Sequence, residues 1–263
     1  MIISVSDHFG ELAMMAGKRL LRHTVQLYPT ANINKPRPIC TALLVAYKEK
    51  RFLVSAAHLM MDLPPDSVAV YVKNELCIPI GNAVYADPRD SRVNNETDLI
   101  IWRLADEVAD ELEEQYEFYR PAELSFNHPF SDKSRYLVVG FPNSKTRLKV
   151  GVRKISLNPF IYLTEHADHK YFQQLELQAS RNMLFDYKRK RTKGYKTGLV
   201  HKGPWTRGLS GCGIWFLPNL LAVKEEDIYP ILISVFIEYR KELNVIVSTK
   251  LSMARILFEK ALV

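Results

Sequence analysis

Apolar positions change their period along this chain, and the changes divide it into segments. From Glu11 to Val25 the residues Leu12, Met15, Leu20 and Leu21, with Ala13 and Ala16, fall at helical spacing and predict a short helix weakened at Gly17. After the turn at Pro36 to Pro38 the texture becomes that of strands. Ile39–Tyr47, Arg51–Ala56, Val68–Val72, Cys77–Ile80 and Leu99–Leu104 are short β-type runs separated by polar, proline or glycine punctuation. Ala105 to Tyr116 returns to helical spacing through Ala105, Val108, Ala109 and Leu112, and an irregular stretch from Arg120 to Ser134 follows. Strand-like runs resume at Arg135–Gly140, Leu148–Leu157, Tyr171–Leu177, Gly211–Phe216, Ile231–Glu238 and Val245–Val247. The chain closes on a helix over Lys250–Leu262, with Leu251, Ala254, Ile256, Leu257 and Ala261 marking its buried face. Short strands at this spacing favour an all-β barrel or sandwich over alternating βαβ units.

Composition narrows the class without changing it. The 263 residues are 47% apolar and 25% charged, an ordinary globular balance with enough apolar material for one large or two small cores. A net charge of +7 allows anionic partners but does not by itself specify nucleic acid. Asp7, His8, Glu11 and Lys18 interrupt the first 21 residues, and there is no apolar run of membrane-spanning length, so neither a secretion signal nor a membrane span is expected. Cys40, Cys77 and Cys212 form an odd set without metal-ligand spacing. They fit a reducing compartment without a disulfide framework, hence a cytoplasmic protein.

Three local patterns carry chemistry. Arg207-Gly208-Leu209-Ser210-Gly211-Cys212-Gly213-Ile214-Trp215 sets a serine between glycines ahead of an apolar strand, which permits a sharp turn that exposes the hydroxyl and gathers amide N–H groups. Alone it reads equally as a tight turn. Phe52-Leu53-Val54-Ser55-Ala56-Ala57-His58 ends an apolar run in two small residues and a histidine, and Thr97-Asp98-Leu99-Ile100-Ile101-Trp102 places an acid directly ahead of another. Each alone reads as a core or surface histidine and a strand-capping turn residue. Their order along the chain, His then Asp then Ser, is that of the chymotrypsin arrangement.

The joint pattern resembles the trypsin-like serine peptidases, in particular bacterial intracellular members. Ser55-Ala56-Ala57-His58 is similar to their T-A-A-H, Asp98-Leu99-Ile100 to their D-[LI]-A, and Gly208-Leu209-Ser210-Gly211 to their G-D-S-G. Cys40 to Val45 is similar to the strand ahead of the histidine, and Val139-Gly140-Phe141-Pro142 to the segment opening the second barrel. The resemblance implies a mostly β fold of two six-stranded antiparallel β-barrels with a C-terminal α-helix. Residues 1–118 would then hold an N-terminal helix and the first barrel with His58 and Asp98, and residues 119–263 the second barrel with Ser210 and the helix. It also implies a catalytic triad of His58, Asp98 and Ser210, an oxyanion hole from the amides of Gly208 and Ser210, and no metal or cofactor.

The departures matter as much as the matches. Leu209 replaces the acid that, in secreted members, pairs with a newly cleaved N-terminus to order the oxyanion loop, so this site is expected to be preformed or ordered by a partner or substrate. Cys212 is expected to be a small buried residue. By resemblance the substrate pocket has its base at Pro204 and Trp205 and its wall at Val235, Phe236, Ile237 and Glu238, a glycine-poor wall that would narrow it; Glu238 attracts a basic residue or is an ordinary strand-end carboxylate. Lys188, Arg189, Lys190 and Arg191, extended by Lys193 and Lys196 and interleaved with Tyr187 and Tyr195, form either a solvated loop or a docking site for an acidic partner or phosphate backbone. The leading expectation is a serine endopeptidase making limited cuts in intracellular proteins, with an activating partner as one means of restraint. A catalytically silent module of the same fold, binding a protein or nucleic acid, is the alternative.

Overall fold

A computed structural model describes residues 5–30, 37–60, 64, 67–73, 75–78, 81–85, 97–128, 134–149, 154–156, 158–194, 197–218 and 229–263. It is mostly strands, in two antiparallel half-barrel sheets with a C-terminal helix, as the sequence leads one to expect. The chain opens on helix α1 (Val5–Leu20). The first sheet follows with β1 (Thr24–Pro29), β2 (Cys40–Tyr47), β3 (Lys50–Ala56), β4 (Val68–Val72), β5 (Glu75–Cys77), β6 (Gly81–Tyr85) and β7 (Leu99–Leu104), paired in the order β5-β4-β1-β2-β3-β7-β6. It counts seven segments because residues 68–77 fold as a hairpin of β4 and the three-residue β5.

Helices α2 (Asp106–Glu113) and α3 (Glu123–Phe126) occupy the connection. The second half contains β8 (Tyr136–Gly140), β9 (Arg147–Lys149), β10 (Lys154–Ser156), β11 (Phe160–Thr164), helix α4 (Lys170–Gln174), β12 (Asn182–Asp186), β13 (Thr192–Lys193), β14 (Val200–His201), β15 (Gly213–Phe216), β16 (Ile231–Arg240), β17 (Val245–Lys250) and helix α5 (Leu251–Leu262). Six of these strands form the second sheet in the order β11-β8-β15-β16-β17-β12; β9 with β10 and β13 with β14 are separate hairpins.

The period of two in the strands sorts side chains among three cores. In β2 and β3, Leu43, Val45, Phe52 and Val54 join a central cluster, while the alternating Ala42, Leu44 and Leu53 fill the interior of the first half. In β8, Leu137 and Val139 join the central cluster, while Tyr136 and Val138 turn into the interior of the second. The central cluster is therefore a seam between the two sheets, and burial on both faces explains why these strands read as near-continuous apolar runs. The terminal helices cross it: α1 packs on β8 and β11 of the second sheet, and α5 on β6 and β7 of the first. The connection between α2 and α3 is stitched to β2 where Ala46 N donates to Tyr119 O at 2.7 Å and Tyr119 N to Leu44 O at 2.9 Å.

Several element boundaries differ from the pattern. The first helix ends at Leu20 rather than Val25, because Thr24 and Val25 pair with Leu43 and Ala42 as the start of β1. Tyr171–Leu177, expected as a strand, carries helix α4; Tyr171, Phe172 and Leu175 also satisfy helical spacing, and Phe172 plugs a cluster with Leu184 and Val247. Leu148–Leu157 is split into β9 and β10. Strands β1, β6, β11 and β12 have no counterpart in the sequence expectation, and Ile80 lies outside the described residues.

Candidate active site

Register brings the acid to the histidine. Strands β3 and β7 pair antiparallel with Ala56 opposite Leu99, so the residues that leave β3 meet the one that enters β7. Ala57 N donates to Asp98 O at 3.1 Å, and a 3-10 turn over Ala57–Met60 then presents His58. Both oxygens of Asp98 are used: His58 N donates to Oδ1 at 2.6 Å, and His58 Nδ1 lies 2.5 Å from Oδ2. A carboxylate only accepts, so Nδ1 carries the proton and Nε2 is left as an acceptor. Asp98 is buried while His58 is partly open to solvent. Asp98 has φ +26°, an uncommon backbone state that short polar side chains tolerate best, and Thr249 Oγ1 of β17 braces the same loop by donating to Thr97 O at 2.8 Å.

The serine turn is clamped to the same strands from the other sheet. Ser210 O accepts from Thr41 N at 3.1 Å, and Gly208 O accepts from Thr41 Oγ1 at 2.7 Å. Thr41 O in turn accepts from Ser55 Oγ at 2.8 Å, three residues before His58. Gly211 N donates to Phe236 O at 2.8 Å and Phe236 N to Cys212 O at 2.8 Å, which ties the turn to β16. The two glycines are required by geometry. Gly208 and Gly211 have φ of +95° and +86°, and a Cβ on Gly211 would lie 2.1 Å from Thr41 O and 2.2 Å from Ser55 Oγ.

Within the turn, Leu209 N donates to Thr206 O and Cys212 N to Leu209 O. The amides of Gly208 and Ser210 donate to no group among the described residues. Two unspent donors flanking a half-exposed serine are the arrangement that a developing oxyanion needs. Leu209, in place of the acid, is fully buried among Tyr136, Phe185, Cys212 and Phe236. Cys212 is also fully buried, and burial pushes its thiol well above the usual range, which leaves it inert beside the serine.

The remaining residues named from sequence are placed as follows. Among the described residues no hydrogen bond joins Ser210 to His58. Val235, Phe236 and Ile237 are buried, with Val235 in the seam and Phe236 in the second interior, and Glu238 pairs with Arg240 at 2.6 Å. Pro204 O accepts from Tyr187 Oη at 2.8 Å and from Arg189 Nε at 3.1 Å, and half-exposed Trp205 carries the Arg189 guanidinium over its ring at 3.6 Å. Of the basic run, Lys188 pairs with Asp186 at 3.0 Å, Lys190, Arg191 and Lys193 are exposed, and Arg189 is buried. Tyr195 and Lys196 lie outside the described residues. Among the described residues no cluster of histidine, cysteine or acidic groups could hold a metal, and no helix is long and apolar enough to cross a membrane. All three cysteines are free and buried.

Sequence reasoning missed two residues and misplaced a third. Thr41 is the clamp between the two sheets, Asn143 holds the turn by donating from its backbone N to Arg207 O at 2.8 Å, and Arg189, named only as part of a charge run, is buried. A threonine inside an apolar strand was the one available signal. No protein-family model matches the chain, and no curated protein matches it.

Proposed function

We propose that this chain is a serine endopeptidase making limited cuts in protein targets, with His58, Asp98 and Ser210 as its triad. The observation that carries the reading is the pairing of a doubly anchored Asp98–His58 unit with a glycine-flanked Ser210 turn whose Gly208 and Ser210 amides are unspent. In this reading His58 Nε2 takes the Ser210 proton as the hydroxyl attacks the scissile carbonyl, then gives it to the leaving amine. Asp98 fixes the ring and stabilises its charged form. The two amides hold the oxyanion, and water then cleaves the acyl-enzyme, releasing a carboxylate and restoring Ser210.

A fluorophosphonate probe tests this directly. Mass spectrometry should find the label on Ser210, and Ser210→Ala should abolish both the label and cleavage of an unfolded protein substrate. A folded protein that never labels and never cleaves would overturn the reading. The silent binding module draws on the missing Ser210–His58 hydrogen bond and on the exposed Lys190, Arg191 and Lys193. It would be favoured by a salt-dependent nucleic-acid affinity that ignores Ser210→Ala and disappears when those three charges are removed.

A further inference from the structure

Arg189 departs from its neighbours. It is 8% exposed within a run whose flanking Lys188 and Lys190 are exposed. A guanidinium offers five N–H donors, and burying it without an anion or a full set of acceptors is costly. Here Nε donates to Pro204 O, while the terminal nitrogens make no hydrogen bond among the described residues and are not fully buried, so that water or an anion reaches them. The nearby carboxylates are engaged elsewhere, Asp186 with Lys188 and Glu238 with Arg240. Trp205 stacks on the guanidinium plane at 3.6 Å, which fixes its orientation without neutralising it.

The position of this cation is set from two sides. Pro204 and Trp205 lie six and five residues ahead of Ser210. On the opposite side β16, tied to the serine turn through Phe236, runs on to Tyr239, whose ring lies 5.2 Å from Tyr187 and whose hydroxyl donates to Tyr187 O at 3.3 Å. Tyr187 Oη returns to Pro204 O at 2.8 Å. Arg189 thus sits between the segment leading into the nucleophile turn and the strand beside it. Trp205, which carries Arg189 over its ring, lines a hollow of about 510 Å³ with Thr206, exposed Arg207, Asn143 and Ser144 beside Gly208; Arg189 reaches that hollow only at the Trp205 edge and is not part of its lining.

We propose that Arg189 selects an acidic side chain, so that the site cuts after aspartate or glutamate. The carboxylate of the residue ahead of the scissile bond supplies the missing acceptors in the bidentate geometry that a planar guanidinium favours. A basic residue there meets a buried like charge. The inference rests on the serine-peptidase reading above, and its test separates the two.

Product peptides identical except for a last residue of Glu, Asp, Gln or Lys are titrated onto Ser210→Ala, with Trp205 fluorescence as the readout; Trp102 and Trp215 are both buried. In parallel, wild-type protein is exposed to a generic fluorophosphonate and to peptidyl phosphonates carrying Glu, Gln or Lys beside the phosphorus. The expected result is an acidic preference of at least about tenfold over Gln in both arms, with Lys worst. Arg189→Gln should erase the preference and Arg189→Lys should keep part of it; if Arg189→Gln fails to fold, the wild-type panel decides. Generic labelling of Ser210 without acidic preference overturns the inference and leaves the peptidase. Acidic preference in binding with no labelling by any probe overturns the peptidase and leaves an acidic-peptide pocket at Arg189.

Discussion

Asp98 and Leu209 stand in the two halves, one holding His58 and the other seated beside Ser210, and they are held by different forces. Asp98 is anchored by polar bonds: two N–H groups of His58 on its carboxylate, Ala57 N on its carbonyl, and Thr249 bracing the preceding residue. Leu209 is anchored by an apolar interior, and the turn around it by main-chain bonds to Thr41 and Phe236. Burying a leucine side chain contributes about 1.5–3 kcal/mol. Well-packed apolar residues in place of a buried ion pair are often neutral or stabilising, because no charge has to be desolvated, and they require no free N-terminus. The family that the sequence resembles orders this loop with an acid that waits for a cleaved chain end. Here the turn is held by the apolar interior and by main-chain bonds to Thr41 and Phe236; under the proposed peptidase reading, restraint would come from substrate selection or access.

The largest expected effect lies at the polar end. Asp98→Asn leaves one acceptor where two N–H groups now point and favours the ring tautomer with its proton on Nε2, which cannot take the Ser210 proton. Turnover should fall by about 10⁴-fold with little change in the unfolding midpoint, measured by single-turnover kinetics and calorimetry. Next comes Leu209→Asp, which puts an unpaired charge into the second interior and should cost about 3–5 kcal/mol, read by denaturant unfolding. Leu209→Met, which conserves volume, should cost less than about 1.5 kcal/mol. A stable or more active Leu209→Asp protein would break the comparison, because it would mean that the nucleophile turn has a hidden cation after all.

Thr41→Val comes third, since it keeps the shape and removes only the hydroxyl that donates to Gly208 O and accepts from Phe141 N at 3.1 Å. Leaving both groups unsatisfied should cost about 1–3 kcal/mol. Fluorophosphonate labelling of Ser210 should slow with it, because the clamp that seats the turn on β2 is lost. Unchanged labelling at reduced stability would show that Leu209 alone suffices to order the turn.

The sequence was most legible where local pattern and function coincide. Ala56-Ala57-His58 and Asp98-Leu99 mark one strand end and one strand start, and the pairing of β3 with β7 needed only those two markers. The β2–β3 connection was not legible: Lys48 and Glu49 both take positive φ in a two-residue turn, yet neither is the glycine or asparagine such turns favour, so strand pairing overrides local preference. Strands β1, β6, β11, β12, β13 and β14 were not legible; Gln26, Asn82 and Asn182 interrupt or open the short apolar runs of β1, β6 and β12. Arg189 was hidden for a different reason. Its charge made it look like its neighbours, and only the fold of Tyr187 to Trp205 separates it from them.

The smallest predicted effect tests whether the two ends loosen together. Burial lowers the pKa of His23, outweighing its bond to Glu117 O, and burial followed by the charge of Lys250 lowers that of His128. Both then hold fewer protons in the folded than in the unfolded chain as pH drops through the ordinary value of 6.5. Stability is fully present above that value and is lost progressively below it, toward the lowered folded values. His23 lies in the seam, its ring 6.2 Å from Trp215 and 5.7 Å from Tyr119, and the His128 ring lies 4.4 Å from that of Phe216, tilted against it. The strain of acid therefore falls on the frame shared by both ends, and His23→Gln should remove part of the acid sensitivity measured by unfolding between pH 5 and pH 7. Amide hydrogen exchange across the same range should rise at the Ser210 turn and at the β3–β7 pair together. If the turn opens first, its apolar anchor is an independent unit, despite the links to the Asp98 end through Thr41 and through Thr249 of β17.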